Sequence, residues 1–218
     1  MRYFYGKTQN TEKERIRMET ERIVVTSEGF RFDEALAVTE NLGNKAGLDK
    51  KSVLHLRLLA EELFGMLRGI AGEVEANYWI ENDEKNFEIH MKSEVNVTDE
   101  MRKQFLSAAS SGKNAAAAGF MGKIRVMIAD TLLTAKEALP YAMINAAAAY
   151  TGGGNYEEAA YVWTMSSYRD EIQRNIEKSK EASKAWDELE KSIVANIADD
   201  IKVSIAGKKV DITVYKAF

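Results

Sequence analysis

The sequence predicts an α+β fold: a two-layer sandwich in which helices cover one face of a mixed β-sheet, with a large helical insertion. Three observations lead to this prediction. Residues 49–72 have the apolar spacing of one amphipathic helix, and alternating patterns at 73–93 and 200–216 predict two β-hairpins. Residues 156–206 contain neither glycine nor proline, which favours a long helical segment.

Composition excludes several classes of protein. Hydrophobic residues form 45% of the 218 residues, which is enough for a sizeable core. The 30 Lys and Arg residues and 34 Asp and Glu residues are interspersed and give a net charge of −4, which argues against a nucleic acid partner. The absence of cysteine excludes disulfides and thiolate metal sites, and two histidines leave little for a metal site. With no signal peptide and no apolar run of about 18 residues, a cytoplasmic protein without a membrane span is expected.

The N-terminal region is predicted to be an arm followed by a strand and a helix. Residues 1–20 begin with aromatic side chains and become charged, which suits either a solvated arm that packs on the body or an arm that docks on a partner subunit. The β-branched residues of 21–27 predict a strand, and apolar residues at helical spacing predict a helix over 30–46.

The helix predicted over 49–72 dominates the first half of the chain. Asp49 is a plausible N-cap, and leucines at intervals of three and four residues form an apolar stripe. Glu62 lies beside this stripe rather than opposite to it. Its carboxylate therefore lies at the rim of a pocket or on a solvated helix surface.

Each predicted hairpin joins two half-buried strands. The first has strands over 73–81 and 86–93, with a turn at 82–85, and the second has strands over 200–205 and 210–216. His90 is interpreted as an ordinary strand residue, because no second histidine lies near it in sequence to complete a metal site.

The middle of the chain has the most unusual composition. A helix is predicted over 98–109, and then the segment SSGKNAAAAGFMGKIR, residues 110–125, leads into a helix over 120–136. Backbone N–H groups at such a helix start can hold an anion, and basic side chains can add charge. The candidate phosphate-binding residues are Gly112, Lys113, Asn114, Gly119, Gly122 and Lys123. The segment is not a Walker A loop, since Ile124 occupies the Ser/Thr position, and a flexible loop before a capped helix explains it equally well.

The segment after the only proline is expected to start with a hinge at 152–154 and to continue as one long helix, or two stacked end to end, over 156–198. Its apolar face and its aromatic residues suit either core packing or a dimer or partner surface.

A family resemblance rests on LLAEELFGMLRGIAG, the hairpin that follows it, and IVANIADDIKVSIAGKKVDITVYK. These segments resemble the anti-sigma-factor serine kinases of the GHKL superfamily, the histidine kinase-like ATPases. The resemblance implies a Bergerat-type core formed by 21–97 and 188–218, interrupted by a loop plus helical insertion at 98–187; the N-terminal arm at 1–20 lies outside it. An alternative placement makes GFMGKIR, which begins at Gly119, the segment that joins the nucleotide lid to its helix.

The resemblance also implies site residues. Glu62 matches the glutamate that acts as general base, Met66 replaces the asparagine that holds Mg²⁺, and Ser93 stands at the adenine-binding aspartate, with Val95 in place of a glycine. ATP is thus the expected cofactor, whereas a thioether is a poor Mg²⁺ ligand and no metal residue is assigned.

Two functions follow from these matches. One is an ATP-binding regulatory protein with a protein partner, related to the serine kinases and weak or inactive as an enzyme. The other is a noncatalytic scaffold that binds a protein or dimerises through its helical insertion.

Overall fold

An antiparallel sheet forms the frame of the protein. The structure, a computed structural model, describes residues 17–69, 73–96, 98, 119–137 and 161–218. Within these residues the sheet has seven strands: β1 (Arg17–Glu19), β2 (Ile23–Thr26), β3 (Glu75–Asp83), β4 (Asn86–Glu94), β5 (Tyr161–Thr164), β6 (Asp200–Ala206) and β7 (Lys209–Ala217). Their order is β1-β3-β4-β7-β6-β5, and β2 pairs with β3 further along its length.

The predicted mixed sheet is wrong, because every strand pairing described is antiparallel. The predicted hairpins, β3–β4 and β6–β7, account for two of the pairings. The two hairpins join through β4 and β7, with Ile89 opposite Val214, and this pairing is antiparallel too. Hydrophobic alternation locates a strand and its buried face, but it carries no information about the direction of a strand that arrives from far along the chain.

The helices form the second layer. They are α1 (Phe32–Lys45), α2 (Lys50–Arg68), α3 (Gly119–Glu137), α4 (Met165–Asn175), α5 (Lys180–Lys191) and α6 (Ile193–Ile197). All six contribute buried side chains to one hydrophobic cluster with the inward-facing residues of the sheet. The α+β class is therefore confirmed. No helix in the described part of the chain has the length and apolar character required to cross a membrane.

The first predicted helices and hairpins are confirmed. Asp49 caps α2, since its Oδ1 accepts a hydrogen bond from the Ser52 N–H at 2.9 Å. The α2 helix ends at Arg68, four residues before the predicted end. Between the layers, Phe32 of α1 stacks on Phe64 of α2 with ring centroids 4.4 Å apart, so aromatic packing holds these helices together.

Both predicted forms of 156–198, one long helix or two helices stacked end to end, are wrong for the described part. Residues 161–164 form an edge strand paired with β6, and three shorter helices follow. Each helix begins at a hydroxyl side chain that accepts a backbone N–H: Thr164 from Ser167, Ser179 from Ala182 and Ser192 from Ala195. These N-caps start new helices in a segment without glycine or proline. Without the breaks, a helix of this length would extend beyond the sheet.

The region predicted as an insertion contributes to the same core. Phe120, Ile124 and Ile128 of α3 are buried in the main cluster, and β5 extends the sheet beside β6. The predicted helix at 98–109 beyond Thr98, the hinge at 152–154 and most of the N-terminal arm lie outside the described residues.

Candidate functional site

The helices α2 and α3 meet at an arginine. Arg125 of α3 donates from Nη2 to the backbone oxygen of Gly65 in α2 at 3.3 Å. Its guanidinium fills the space beside Gly69, where an added Cβ would collide with it. Burial lowers the pKa of Arg125. The backbone carbonyl groups at the C-terminal end of α2 also stabilise a nearby cation. Arg125 therefore holds the two helices together.

Glu62 lies on α2 near this junction, one turn before Gly65 and Met66. Its side chain is partly exposed, and in the described part of the chain it makes no hydrogen bond or ion pair. The adjacent Glu61 differs, because it accepts from Arg57, which also binds Glu40 of α1. Glu61 therefore links the outer surfaces of α1 and α2, whereas Glu62 has no such partner among the residues that the structure describes.

Met66 is a core residue. Its side chain is 2% exposed, and it lies between Leu63 and Leu67 in the main hydrophobic cluster. The position to which the resemblance assigns a Mg²⁺ ligand thus points into apolar surroundings. Among the described residues, no group of three or more His, Asp or Glu side chains is arranged to hold a metal ion.

The start of α3 carries three of the predicted phosphate-binding residues. Gly119 adopts a left-handed φ of 77° and is exposed, whereas Gly122 is buried. Lys123 forms an ion pair with Glu188 of α5, with Nζ and Oε2 2.7 Å apart. An anion bound here would compete with Glu188 for Lys123. Gly112, Lys113 and Asn114 lie outside the described residues.

Ser93 lies at the end of β4, between Ala76 of β3 and Val210 of β7. It lines a groove of about 720 Å³ together with Asn77, Lys92, Asp211 and several other polar residues. Glu62, Gly119, Gly122 and Lys123 do not line this groove. The structure therefore packs α3 on α2 through Arg125, directs Lys123 at the start of α3 to α5, and gives Ser93 a separate neighbourhood.

Sequence reasoning missed two groups with functional potential. Arg125 was part of the GKIR segment, but nothing in its spacing indicated contact with the end of α2. His90 was interpreted as an ordinary strand residue, although it lies between carboxylates from β3 and β4. In both cases the partners come from different elements, and only cross-strand register or helix packing reveals them.

Comparison with known proteins gives no assignment. No protein-family model matches the chain, and no curated protein shows significant sequence similarity to it.

Proposed function

We propose that this chain is a regulatory protein on a histidine kinase-like scaffold that binds an adenine nucleotide at the junction of α2 and α3, without Mg²⁺-dependent phosphoryl transfer. The observation that carries the proposal is the packing of α3 on α2 through Arg125 and Gly65. This packing favours the alternative placement, in which GFMGKIR joins the nucleotide lid of the family to the helix α3. Apart from β1, β5 and the helices α4 to α6, the described elements follow the order strand, two helices, hairpin, helix and closing hairpin, which resembles the order in the anti-sigma-factor serine kinases.

Charge and exposure near the junction support an anion as ligand. The start of α3 offers backbone N–H groups and the cation of Lys123, which faces Glu188 of α5. Arg125, two residues later, projects from the other side of α3 onto α2 and anchors this helix start. Glu62 is accessible on the facing helix and could orient a hydroxyl or water.

Because Met66 is buried, nucleotide binding is proposed without Mg²⁺-dependent phosphoryl transfer. A hard cation requires oxygen ligands, and a thioether in the hydrophobic core supplies none. Nucleotide binding should therefore be insensitive to Mg²⁺, and turnover should be absent or very slow.

Calorimetry with ATP and ADP, in Mg²⁺ and in EDTA, tests the proposal. The expected result is similar affinity under both conditions. Absence of heat and of thermal stabilisation at millimolar nucleotide would refute nucleotide binding, and affinity that requires Mg²⁺ would refute the metal-independent site.

The ion pair between Lys123 and Glu188 permits a sharper test. Glu188→Gln releases Lys123 and should strengthen nucleotide binding, whereas Lys123→Ala should weaken it by about tenfold, the equivalent of one charge-assisted hydrogen bond. Glu34→Gln is the matched control, because it breaks the Arg31–Glu34 pair on the surface of α1. Equal effects of the three variants on nucleotide affinity would show that Lys123 does not bind the nucleotide.

A noncatalytic interaction scaffold is the second candidate, and the sheet edge favours it. In the described part of the sheet β5 is an edge strand, and the side chain of Val162 on it is 49% exposed. Unpaired edge strands are natural sites for pairing with another chain. Light scattering over a range of concentrations should then show a dimer that Val162→Lys dissociates; a monomer at every concentration would contradict a dimer through this edge.

A further inference from the structure

The face of the sheet opposite the helices contains a shielded histidine. His90 of β4 lies between Trp79 of β3 and Thr213 of β7 in the strand register. Its ring stacks on the indole of Trp79, with centroids 4.6 Å apart and planes 9° apart. The His90 side chain is only 12% exposed, although its neighbours Ile89 and Met91 face the helix-covered cluster and His90 points to the other side.

Two carboxylates face one nitrogen of this imidazole. The Nε2 atom is 3.7 Å from Oε1 of Glu81 on β3 and 3.6 Å from Oε2 of Glu88 on β4. These distances are too long for hydrogen bonds, and Nε2 is shielded from solvent without a hydrogen-bond partner among the described residues. Trp79 holds Glu81 in position by donating from Nε1 to its Oε1 at 3.1 Å.

The other nitrogen has a polar partner. Nδ1 of His90 lies 3.2 Å from Oγ1 of Thr213. Carboxylates beside Nε2 favour the tautomer with hydrogen on Nε2, which leaves Nδ1 to accept from the Thr213 hydroxyl. A hydroxyl can reverse its role by rotation. If Nδ1 gains a proton, Thr213 becomes the acceptor and the positive charge lies within about 4 Å of two carboxylates.

We propose that Trp79, Glu81, Glu88, His90 and Thr213 form a proton-sensitive switch on the sheet face opposite the helices. Proton uptake at Nδ1 reverses the Thr213 hydrogen bond and draws the carboxylate of Glu88, whose side chain is 45% exposed, towards Nε2–H. The protonated His90 and the cross-strand carboxylates of Glu81 and Glu88 then form an ion-paired triad that spans β3 and β4.

The surrounding charges set the pH range of this switch. Burial lowers the pKa of His90, while Glu81, Glu88 and Asp211 of β7 raise it and Lys92 lowers it. Arg22, which precedes β2, lies over the Trp79 ring, and Lys202 of β6 is opposite Thr213. The net direction is downward, so the transition falls below the ordinary value of about 6.5 for histidine. The switch therefore operates on the acidic side of the ordinary histidine range.

Nitrogen-15 NMR of the imidazoles provides the test, because the chain has only two histidines, His55 and His90. His90→Gln and His55→Gln assign the two spin systems. In the wild type the neutral His90 should show hydrogen on Nε2 and should take its second proton at Nδ1. A neutral form with hydrogen on Nδ1 would overturn the proposal without any further variant.

Three substitutions then test the partners. Glu88→Gln and Glu81→Gln should each lower the His90 midpoint, by about half a pH unit, because each removes a negative charge near Nε2. Thr213→Val should also lower it, since it removes the acceptor for the new proton. Unchanged midpoints in folded variants, as judged by the His55 signal, would overturn the switch. If Glu81→Gln fails to fold, the exposed Glu88 still provides the test.

Discussion

The two faces of the sheet differ in what their side chains do. On the helix-covered face, strands and helices bury one continuous cluster, and even a residue at a candidate ligand position, Met66, belongs to it. On the opposite face the central row of Trp79, His90 and Thr213 is shielded, but its neighbours are charged. The helix face therefore supplies stability and the opposite face can carry titratable chemistry. Four measurements test this difference between the two faces.

The largest effect is expected from the core of α2. Leu63→Ala removes a fully buried side chain and should lower the free energy of unfolding by about 2–5 kcal/mol. Lys202→Ala on the opposite face is the control and should change it by less than about 0.5 kcal/mol. Urea denaturation of both variants checks the contrast, and equal losses would contradict it.

The next effect concerns the junction of α2 and α3. Gly69→Ala should destabilise the protein by about 1–3 kcal/mol, because the methyl group displaces the Arg125 guanidinium. Gly65→Ala makes the same chemical change inside α2, one turn before the C-cap Gly69, but its Cβ would meet nothing within 4 Å. That variant should gain about 0.5–1 kcal/mol from helix propensity. Thermal melts that rank the two variants in the reverse order would show that Arg125 does not occupy this position.

A smaller effect is expected when one tyrosine hydroxyl is removed from either face of the sheet. The Tyr78 hydroxyl is buried on the helix face, 2.6 Å from Thr39 Oγ1, which also donates to the Ala35 oxygen at 2.8 Å. Tyr78→Phe should cost about 1 kcal/mol. Tyr215→Phe on the opposite face makes the same change and should cost less than about 0.5 kcal/mol. Similar losses in denaturation experiments would mean that the faces do not differ in their requirement for paired polar groups.

The smallest effect is the pH dependence from His90. Since burial lowers its pKa in the folded protein, the unfolded chain binds more protons in mild acid. The free energy of unfolding should therefore decrease as the pH falls through about 6.5 and should level off below the folded pKa. His90→Gln should lack this component, and urea titrations of both proteins from pH 7.5 to 5.5 measure the difference. If acidification instead raised the free energy of unfolding of the wild type relative to that of the variant, a lowered pKa of His90 would be contradicted.

Much of the fold could be predicted because its signals are local. Asp49 as the cap of α2, the apolar stripe of that helix and the alternation in both hairpins all depend on residues within a few positions of one another. The breaks at Ser179 and Ser192 were missed although their signal is also local, because a serine is compatible with both a helix interior and a cap. Only the competing tertiary contacts of each short helix decide between these states.

The candidate site could be predicted only in part. Glu62 and the start of α3 were identified as candidates from residue type and from the family resemblance. The engagement of Lys123 by Glu188 and the burial of Met66 depend on helix packing.

The amino-acid sequence is sufficient to identify the segments that form the central helices and hairpins and most of the side chains buried in them. These properties follow from spacing along the chain, since the periods of helix and strand are intrinsic to the backbone. Three features are visible only in the folded protein: the antiparallel joining of the hairpins, the division of 165–197 into three helices, and the contacts of His90 with Glu81 and Thr213. These features depend on contacts between segments that are distant in sequence. Such contacts contribute to stability only when the sheet and the helices pack together.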